Sequence, residues 1–517
     1  MPDVILIYPR TLWDIKNVTT RLPLAVLYIG SVLKKGGYSV QVIDQRVDDR
    51  WPEALRQALQ HRPLWVGVSA MTGRQIRWGL EASRIVREAD ASIPIVWGGV
   101  HPTILPDQTL AHPLVDAVAV GEGEITALEL TRALASHPPA GSGEAVAPAS
   151  PAGTALTRHE AKGVQPPPAI GDVAGLAWKR GGEIVHNAPR PFLPMDELPR
   201  LDYSLVNVEH YVLAEVPGER SLQITTSRGC PMRCGYCYLT VVPDGRHYRA
   251  ESPERTVEHI ERLQRALNLN AVHIIDDEFF TQRVRARRVC ELILERGIQV
   301  TLRTNCRIDY IDRMDPDDLR LFRRAGFKQL YLGAESGNDR VLDLITKGIT
   351  RDQIVRANHK LKAAGIAPKF SFMGGFPTET IAEVKDTMRL MVDLVHDNPE
   401  AYTTPVQLYS PYPGTALFDY SVQQGMAVPT TLEAWTESGW EHIDYSWLSA
   451  AEERFLQKAA YFTFFLDGKT VAESLHSLLL RPLARAYGWV VRQRIQHDWY
   501  ALMPEVVAIR WLLANAR

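Results

Sequence analysis

Cysteine is scarce in this chain, with five in 517 residues. That is too few for a disulfide scaffold, and clustered thiols in a reducing compartment more often ligate metal or do chemistry. Neither sign of charge dominates. Lysine and arginine number 58 against 60 acidic residues, for a formal net charge of −2, so the bulk balance offers no hold on nucleic acid or an anionic membrane. Long hydrophobic runs are missing too. "LPLAVLYIGSVL" near the start is too short to span a bilayer and reads as a buried helix, so no transmembrane segment is expected. The opening "MPDVILIYPR" lacks the basic start, long apolar run and small-residue cleavage site of a secretion signal, and the expected location is the cytoplasm. Repeats of solenoid length are absent.

What is present is an apolar fraction of 45% with 23% charged residues, the balance of a globular enzyme with ample material for large cores. The length sets a prior of roughly two to four domains. Residues 1–138 alternate short apolar strands with amphipathic helices, which predicts an α/β fold, a Rossmann-like doubly wound parallel sheet. Ligands of such sheets sit beyond the carboxyl ends of the strands. Those ends carry Ser69, Met71 and Thr72, then Gly98, Gly99, Val100 and His101, then Gly121, Glu122 and Gly123. Residues 139–195 read as a linker rich in Pro, Ala, Gly and Ser, followed by a small hairpin turning at Gly181-Gly182. Residues 196–425 resume the alternation with six strands in βα order, predicting a parallel sheet curved into a partial or full barrel. Residues 426–517 are helical in pattern. They read as a cap over the barrel, with a basic amphipathic surface as the alternative.

Three of the five cysteines, Cys230, Cys234 and Cys237, fall within "TSRGCPMRCGYCYL" as a C-x3-C-x2-C set. A four-iron cluster held wholly by protein needs four thiolates. Three leave one iron open, and an open coordination site marks a reactive centre rather than a structural one. The competing reading is zinc completed by a fourth ligand such as His247, although no second knuckle exists. Cys290 and Cys306 read as buried apolar thiols.

The triplet, with Tyr236 just before its last cysteine, resembles that of radical S-adenosylmethionine (SAM) enzymes. The resemblance implies a partial (β/α)6 TIM-type barrel and a [4Fe-4S] cluster whose open iron is chelated by SAM. One-electron cleavage of SAM then yields a 5′-deoxyadenosyl radical. It further implies that Asp276, Asp277 and Glu278, ending the second strand, hold the methionyl amine, as acids suit an ammonium. Glu335 and Ser336 in "LGAESG" match a ribose or methionine contact. Gly374, Gly375 and Pro377 in "FMGGFPTET" match the motif beside adenine, and Tyr409 lies in the matching sixth-strand segment. Tyr236 is expected on or near adenine, and Arg303 as a partner of the SAM carboxylate.

"WGGVHPTILPD" and "VGEGE" in the first domain resemble the cobalamin (B12)-binding branch of that family, which includes radical methyltransferases and the anaerobic magnesium-protoporphyrin IX monomethyl ester cyclase. Many corrinoid domains carry D-x-H-x-x-G, whose histidine ligates cobalt from below. This chain has Asp14-Ile15-Lys16-Asn17-Val18-Thr19 there and no histidine before His61, so the expected cobalamin lacks a histidine lower ligand. His101 faces the corrin or simply caps a helix. The resemblance implies methylation of an unactivated carbon of a small molecule or peptide precursor, through the 5′-deoxyadenosyl radical and methylcobalamin. It also implies an external one-electron reductant of flavodoxin or ferredoxin type. The alternatives are a radical cyclisation or oxidative rearrangement without methyl transfer and, from another class, a corrinoid or iron–sulfur sensor without turnover. No motif identifies the substrate.

Overall fold

The structure, a computed structural model, describes residues 1–11, 14, 20–136, 169–214, 216, 218–243, 245–438, 445–469 and 481–500. Residues 15–19 of the altered corrinoid motif, the Pro/Ala-rich stretch 137–168 and residues 501–517 lie outside them. The chain forms two compact units. One comprises Met1–Leu193, Leu198–His210 and Pro429–Ser438, and the other Pro194–Glu197, Tyr211–Val428 and Gly439–Arg517.

In the first unit, strands β1 (Val4–Tyr8), β2 (Val40–Asp44), β3 (Trp65–Ser69), β4 (Ile95–Gly98) and β5 (Ala117–Ala119) alternate with helices α1 (Leu24–Lys35), α2 (Trp51–Leu59) and α3 (Arg74–Ala89), and the short α4 (Val100–Ile104) and α5 (Pro106–Ala111) lead to β5. Helix α6 (Glu124–Ser136) follows β5. The five strands pair in parallel in the order β2-β1-β3-β4-β5. Because helices cover both faces, the strands are nearly continuous apolar runs, and Val4, Ile5 and Ile7 are completely buried. The hairpin β6 (Leu176–Arg180) and β7 (Glu183–His186) does not stand apart but extends this sheet, β6 pairing antiparallel to β5. Pairing satisfies the backbone groups that β5 would otherwise leave open at an edge. The turn is made by Gly181 and Gly182, both at positive φ as two-residue hairpins require. Pro429–Ser438 returns to this unit, where Trp435 is buried and donates its indole N–H to Gln108, which in turn donates to the Pro429 carbonyl at 3.0 Å.

The second unit holds six parallel strands: β8 (Ser221–Ile224), β11 (Ala271–Ile274), β12 (Thr301–Cys306), β13 (Phe327–Glu335), β14 (Ala367–Gly374) and β15 (Tyr402–Leu408). They lie side by side in chain order, and among the described residues β8 and β15 do not pair, so the barrel is partial. A two-stranded ribbon, β9 (Ser227–Arg228) with β10 (Arg249–Ala250), flanks the cysteine loop. Helices α7 (Pro253–Leu267), α8 (Arg283–Glu295), α9 (Ile308–Arg313), α10 (Pro316–Arg324), α11 (Asp339–Leu344), α12 (Arg351–Ala364) and α13 (Ile381–Asp397) occupy the crossovers. Leu330, Leu332 and Ala334 of β13 are buried beneath helices, whereas Tyr331 turns to the other face and stacks on His273 of β11 at 4.8 Å. Rings two strands apart meet across β12 because the sheet curves, making that face concave. Past α14 (Ala416–Gln423), helix α15 (Ala450–Thr463) runs along β15 and shields its edge. Thr463 Oγ1 accepts from the Val406 N–H at 2.9 Å and Asp467 from that of Thr403 at 3.3 Å. The last described helix is α16 (Arg481–Gln496). Among the described residues no helix is long and apolar enough to cross a membrane.

Candidate functional site

The cysteine loop leaves β9 through Gly229, whose φ of +85° and contact with the His247 carbonyl leave no room for a side chain. Backbone bonds close the loop. Cys230 N donates to Gly245 O at 3.0 Å, Cys237 N to Cys234 O at 3.1 Å, and Gly235 N to Ile345 O at 2.9 Å. Burial pushes the Cys230 and Cys237 thiols up to about 11, against the pull of backbone N–H bonds from Met232 and Leu239. Among the described residues, no three His, Cys, Asp or Glu side chains converge on a single metal position. A four-iron cluster, in which each thiolate takes its own iron, suits such spaced thiols better than one zinc ion does, and His247 is exposed.

Two of the three acids that follow β11 hold the chain leading into this loop. Asp276, fully buried, accepts from Thr226 N and Oγ1, both at 2.6 Å, and from Ser227 Oγ at 2.7 Å. These three bonds tie Asp276 to the residues that lead into the cysteine loop. Asp277 accepts from Gly229 N at 2.8 Å, one residue before Cys230. Glu278 is buried, accepts from Phe280 N at 3.1 Å, and has its carboxyl pushed up to about 8 by burial. Arg303 Nη1 donates to Glu219 at 2.8 Å, and both side chains are under a tenth exposed. Ser336 turns toward α13, 3.1 Å from Thr387 Oγ1.

Glu335 ends β13 at a left-handed φ of +62°, after a register shift against β14. Its Oε1 accepts from Tyr236 Oη at 3.0 Å and from Lys347 Nζ at 2.8 Å, and Lys347 Nζ lies 3.1 Å from Tyr236 Oη. Burial pushes the Lys347 ammonium down, but adjacent Glu335 and Cys234 together more than offset it, leaving the pKa raised. A buried carboxylate and ammonium side by side complement the two charged groups of an amino acid. Behind them sits buried Arg307, with its Nη2 on the Lys347 carbonyl at 2.7 Å, its Nε on Asp309 at 2.8 Å and its Nη1 3.7 Å from Cys234 Sγ. Neither Lys347 nor Arg307 is singled out by sequence reasoning, because neither falls in a recognisable spacing.

Where β14 ends, Gly374 packs against Val406, and Gly375, at φ +85°, opens a turn that Pro377 continues. Glu379 Oε2 accepts from Gly375 N at 2.7 Å and Phe376 N at 3.1 Å, fixing that turn. The Phe376 ring lies 6.3 Å from that of Tyr236 and 5.1 Å from the fully buried Tyr409. The final residues of "GGFPTET" held the signal for Glu379.

In the first unit, the strand ends form a row of tight turns. Gly99, at φ +96°, lies so close to β3 that a Cβ would come within 2.8 Å of Ala70 O and 3.2 Å of Ser69 Oγ. Gly98 makes only ordinary contact with Ala119. Met71 is 39% exposed, and its N–H donates to Gln75 at 2.8 Å. At Gly121, φ +82°, a Cβ would meet nothing within 4 Å, and its N–H is held by Thr103 at 3.0 Å. Glu122 beside it is half-buried, and Gly123 rests against Ile29. Of these four glycines only Gly121 borders open space, the kind of strand end at which a ligand can approach the backbone. After Val100 opens α4, His101 is fully buried. Its Nδ1 lies 3.0 Å from Thr72 Oγ1, its ring sits against Trp435, and burial lowers its pKa to about 4. It is a neutral core histidine that fixes Thr72, and it neither caps a helix nor faces open space.

Residues 224–391 match the Radical SAM superfamily and residues 18–131 the B12 binding domain. The chain is 26% identical over 498 residues to an uncharacterised methyltransferase of Pyrococcus horikoshii, covering 95% of this chain and 97% of that protein. It is 28% identical over 403 residues to the anaerobic magnesium-protoporphyrin IX monomethyl ester cyclase of Rubrivivax gelatinosus, covering 77% of this chain but only 65% of the cyclase. The solved structure of the cobalamin-dependent S-adenosylmethionine radical enzyme OxsB, with aqua-cobalamin and S-adenosylmethionine bound, aligns at a TM-score of 0.73 and 16% identity, covering 100% of this chain and 75% of OxsB. At that identity the likeness speaks to the fold. The chain therefore joins a B12-binding domain to a radical SAM domain, and it is a homologue of the cobalamin-dependent radical SAM methyltransferases and of the magnesium-protoporphyrin cyclase.

Proposed function

We propose that this protein methylates an unactivated carbon of a small molecule or peptide precursor, with a [4Fe-4S] cluster, SAM and cobalamin as cofactors. The observation that carries this reading is the buried Glu335–Lys347–Tyr236 cluster, which abuts a loop of three cysteines lacking a fourth. When bound, the cluster with SAM supplies a hydrogen-abstracting carbon radical, and cobalamin supplies a methyl group. In this reading Cys230, Cys234 and Cys237 hold the cluster. Glu335 and Lys347 pair with the amino and carboxylate groups of SAM, Asp276 and Asp277 keep the cysteine loop in place, and the Gly374–Pro377 turn with Tyr236 borders the adenine. In the first unit the strand ends from Ser69 to Gly123 cradle the corrinoid. The corrinoid is read without a histidine lower ligand, since the altered motif at residues 14–19 lacks one and the sequence has no histidine before His61. Electrons come from a flavodoxin- or ferredoxin-type donor, and the protein works in the cytoplasm. The first unit, hairpin included, serves as the corrinoid domain and the six-stranded unit as the radical core, with the helices after α14 as its cap.

Anaerobic reconstitution with iron, sulfide and cobalamin, followed by assay for 5′-deoxyadenosine and S-adenosylhomocysteine, tests the reading. Fully loaded protein that makes neither product defeats it. The cyclase relative favours a second reading, radical cyclisation or oxidation. Product mass separates them, because methyl transfer adds one methylene whereas cyclisation or oxidation changes hydrogen or oxygen alone.

A further inference from the structure

Arg307 follows β12 directly and precedes α9, yet its side chain turns inward and is only 8% exposed. Each edge of its guanidinium has a different partner. Nε donates to Asp309 Oδ1 at 2.8 Å, Nη2 to the Lys347 carbonyl at 2.7 Å, and Nη1 points at Cys234 Sγ from 3.7 Å. Asp309 is itself held from outside by Arg313 at 2.6 Å. A guanidinium is planar and permanently charged, so fixing two edges fixes the third. That third edge delivers an N–H to one cysteine of the triplet, while the second fixes the backbone that carries Lys347, and so Glu335.

We propose that Arg307 is a positioning residue that hydrogen-bonds the Cys234 thiolate in the loaded protein and thereby raises the reduction potential of the cluster. The proposal rests on reading the triplet as cluster ligands. Reduction adds one negative charge to a centre already held by three thiolates. A cationic N–H donor at one sulfur stabilises the reduced form more than the oxidised one, and hydrogen bonds to sulfur are among the determinants of such potentials. Asp309 faces the opposite edge, so its charge lies on the far side of the guanidinium from the sulfur.

The test is a potentiometric titration of the reconstituted cluster, followed by electron paramagnetic resonance, in the wild type, Arg307→Gln and Arg307→Lys. Iron and sulfide are counted in each. At a fixed potential near the wild-type midpoint, Arg307→Gln is expected to lower the ratio of reduced to oxidised cluster about tenfold, equivalent to about 59 mV for a one-electron couple. Arg307→Lys keeps the charge but loses the forked geometry, and is expected to shift the same way by less. Full cluster occupancy with a wild-type midpoint in Arg307→Gln overturns the proposal. Should Arg307→Gln assemble no cluster, Arg307→Lys decides: a lowered midpoint supports the proposal and an unmoved one overturns it. A wild-type protein that assembles no four-iron cluster would instead defeat the reading of the cysteines.

Discussion

The Lys347 ammonium lies 2.8 Å from Glu335 Oε1, with both side chains less than a tenth exposed. An ion pair so withdrawn from water gives little net stability, yet it is costly to break on one side only. Lys347→Met should therefore destabilise the fold by about 3–5 kcal/mol and abolish SAM binding. The double substitution Lys347→Met with Glu335→Leu should recover most of the stability and none of the binding. Denaturant unfolding and equilibrium dialysis of SAM check the two halves separately.

Cys234→Ala removes one of three thiolates from a loop that its own backbone bonds already close. The expected outcome is a protein with near-wild-type circular dichroism, bound iron reduced to a small fraction, and no 5′-deoxyadenosine. Cys290→Ala, at a completely buried thiol within α8, should leave iron content unchanged and cost only stability, about 1 kcal/mol.

Gly99→Ala and Gly121→Ala separate folding from ligand binding in the first unit. At Gly99 a methyl meets the Ala70 carbonyl at 2.8 Å, so thermal stability should fall sharply. At Gly121 it meets nothing within 4 Å, so only the left-handed backbone resists, at about 1 kcal/mol. Gly121→Ala should fold but bind cobalamin at least tenfold more weakly, as read by the optical spectrum of the retained corrinoid. Undiminished binding would argue against a corrinoid at that strand end.

Glu383 closes the N-terminus of α13 in a capping box with Thr380 and pairs with Arg340, which hold its carboxyl down at about 2. A depressed folded-state pKa contributes stability above the unfolded value and loses it as the carboxylate protonates. Arg340 is half exposed, so solvent screening limits the contribution to about 1 kcal/mol. Glu383→Gln should unfold at lower urea than wild type at pH 7, with the gap closing as pH falls below about 4.5 toward 2.

The division between what was legible in the chain and what was not follows the range of the interactions. Apolar runs separated by amphipathic helices are local patterns, and strands β1 to β5, the Gly181-Gly182 hairpin and the six barrel strands all formed where that pattern ran. The C-x3-C-x2-C triplet and the glycine-rich strand ends were visible because their chemistry depends on spacing within a few residues. Partner choice among charged groups was not local. Arg303 reached Glu219, 84 positions away, and Asp276 took Thr226, 50 positions away. Tyr236 and Lys347, 111 apart, met at Glu335. His101 turned inward to Thr72, away from any open edge.

The sequence alone determined two α/β units, the three thiols and the row of polar or glycine-rich strand ends, because backbone propensity and side-chain periodicity act over one element at a time. Only the tertiary structure decided which partner each charged group at those ends takes. Burial makes every unpaired charge expensive, so each is claimed by the nearest complementary group that folding brings to it, and no spacing in the chain records that neighbour.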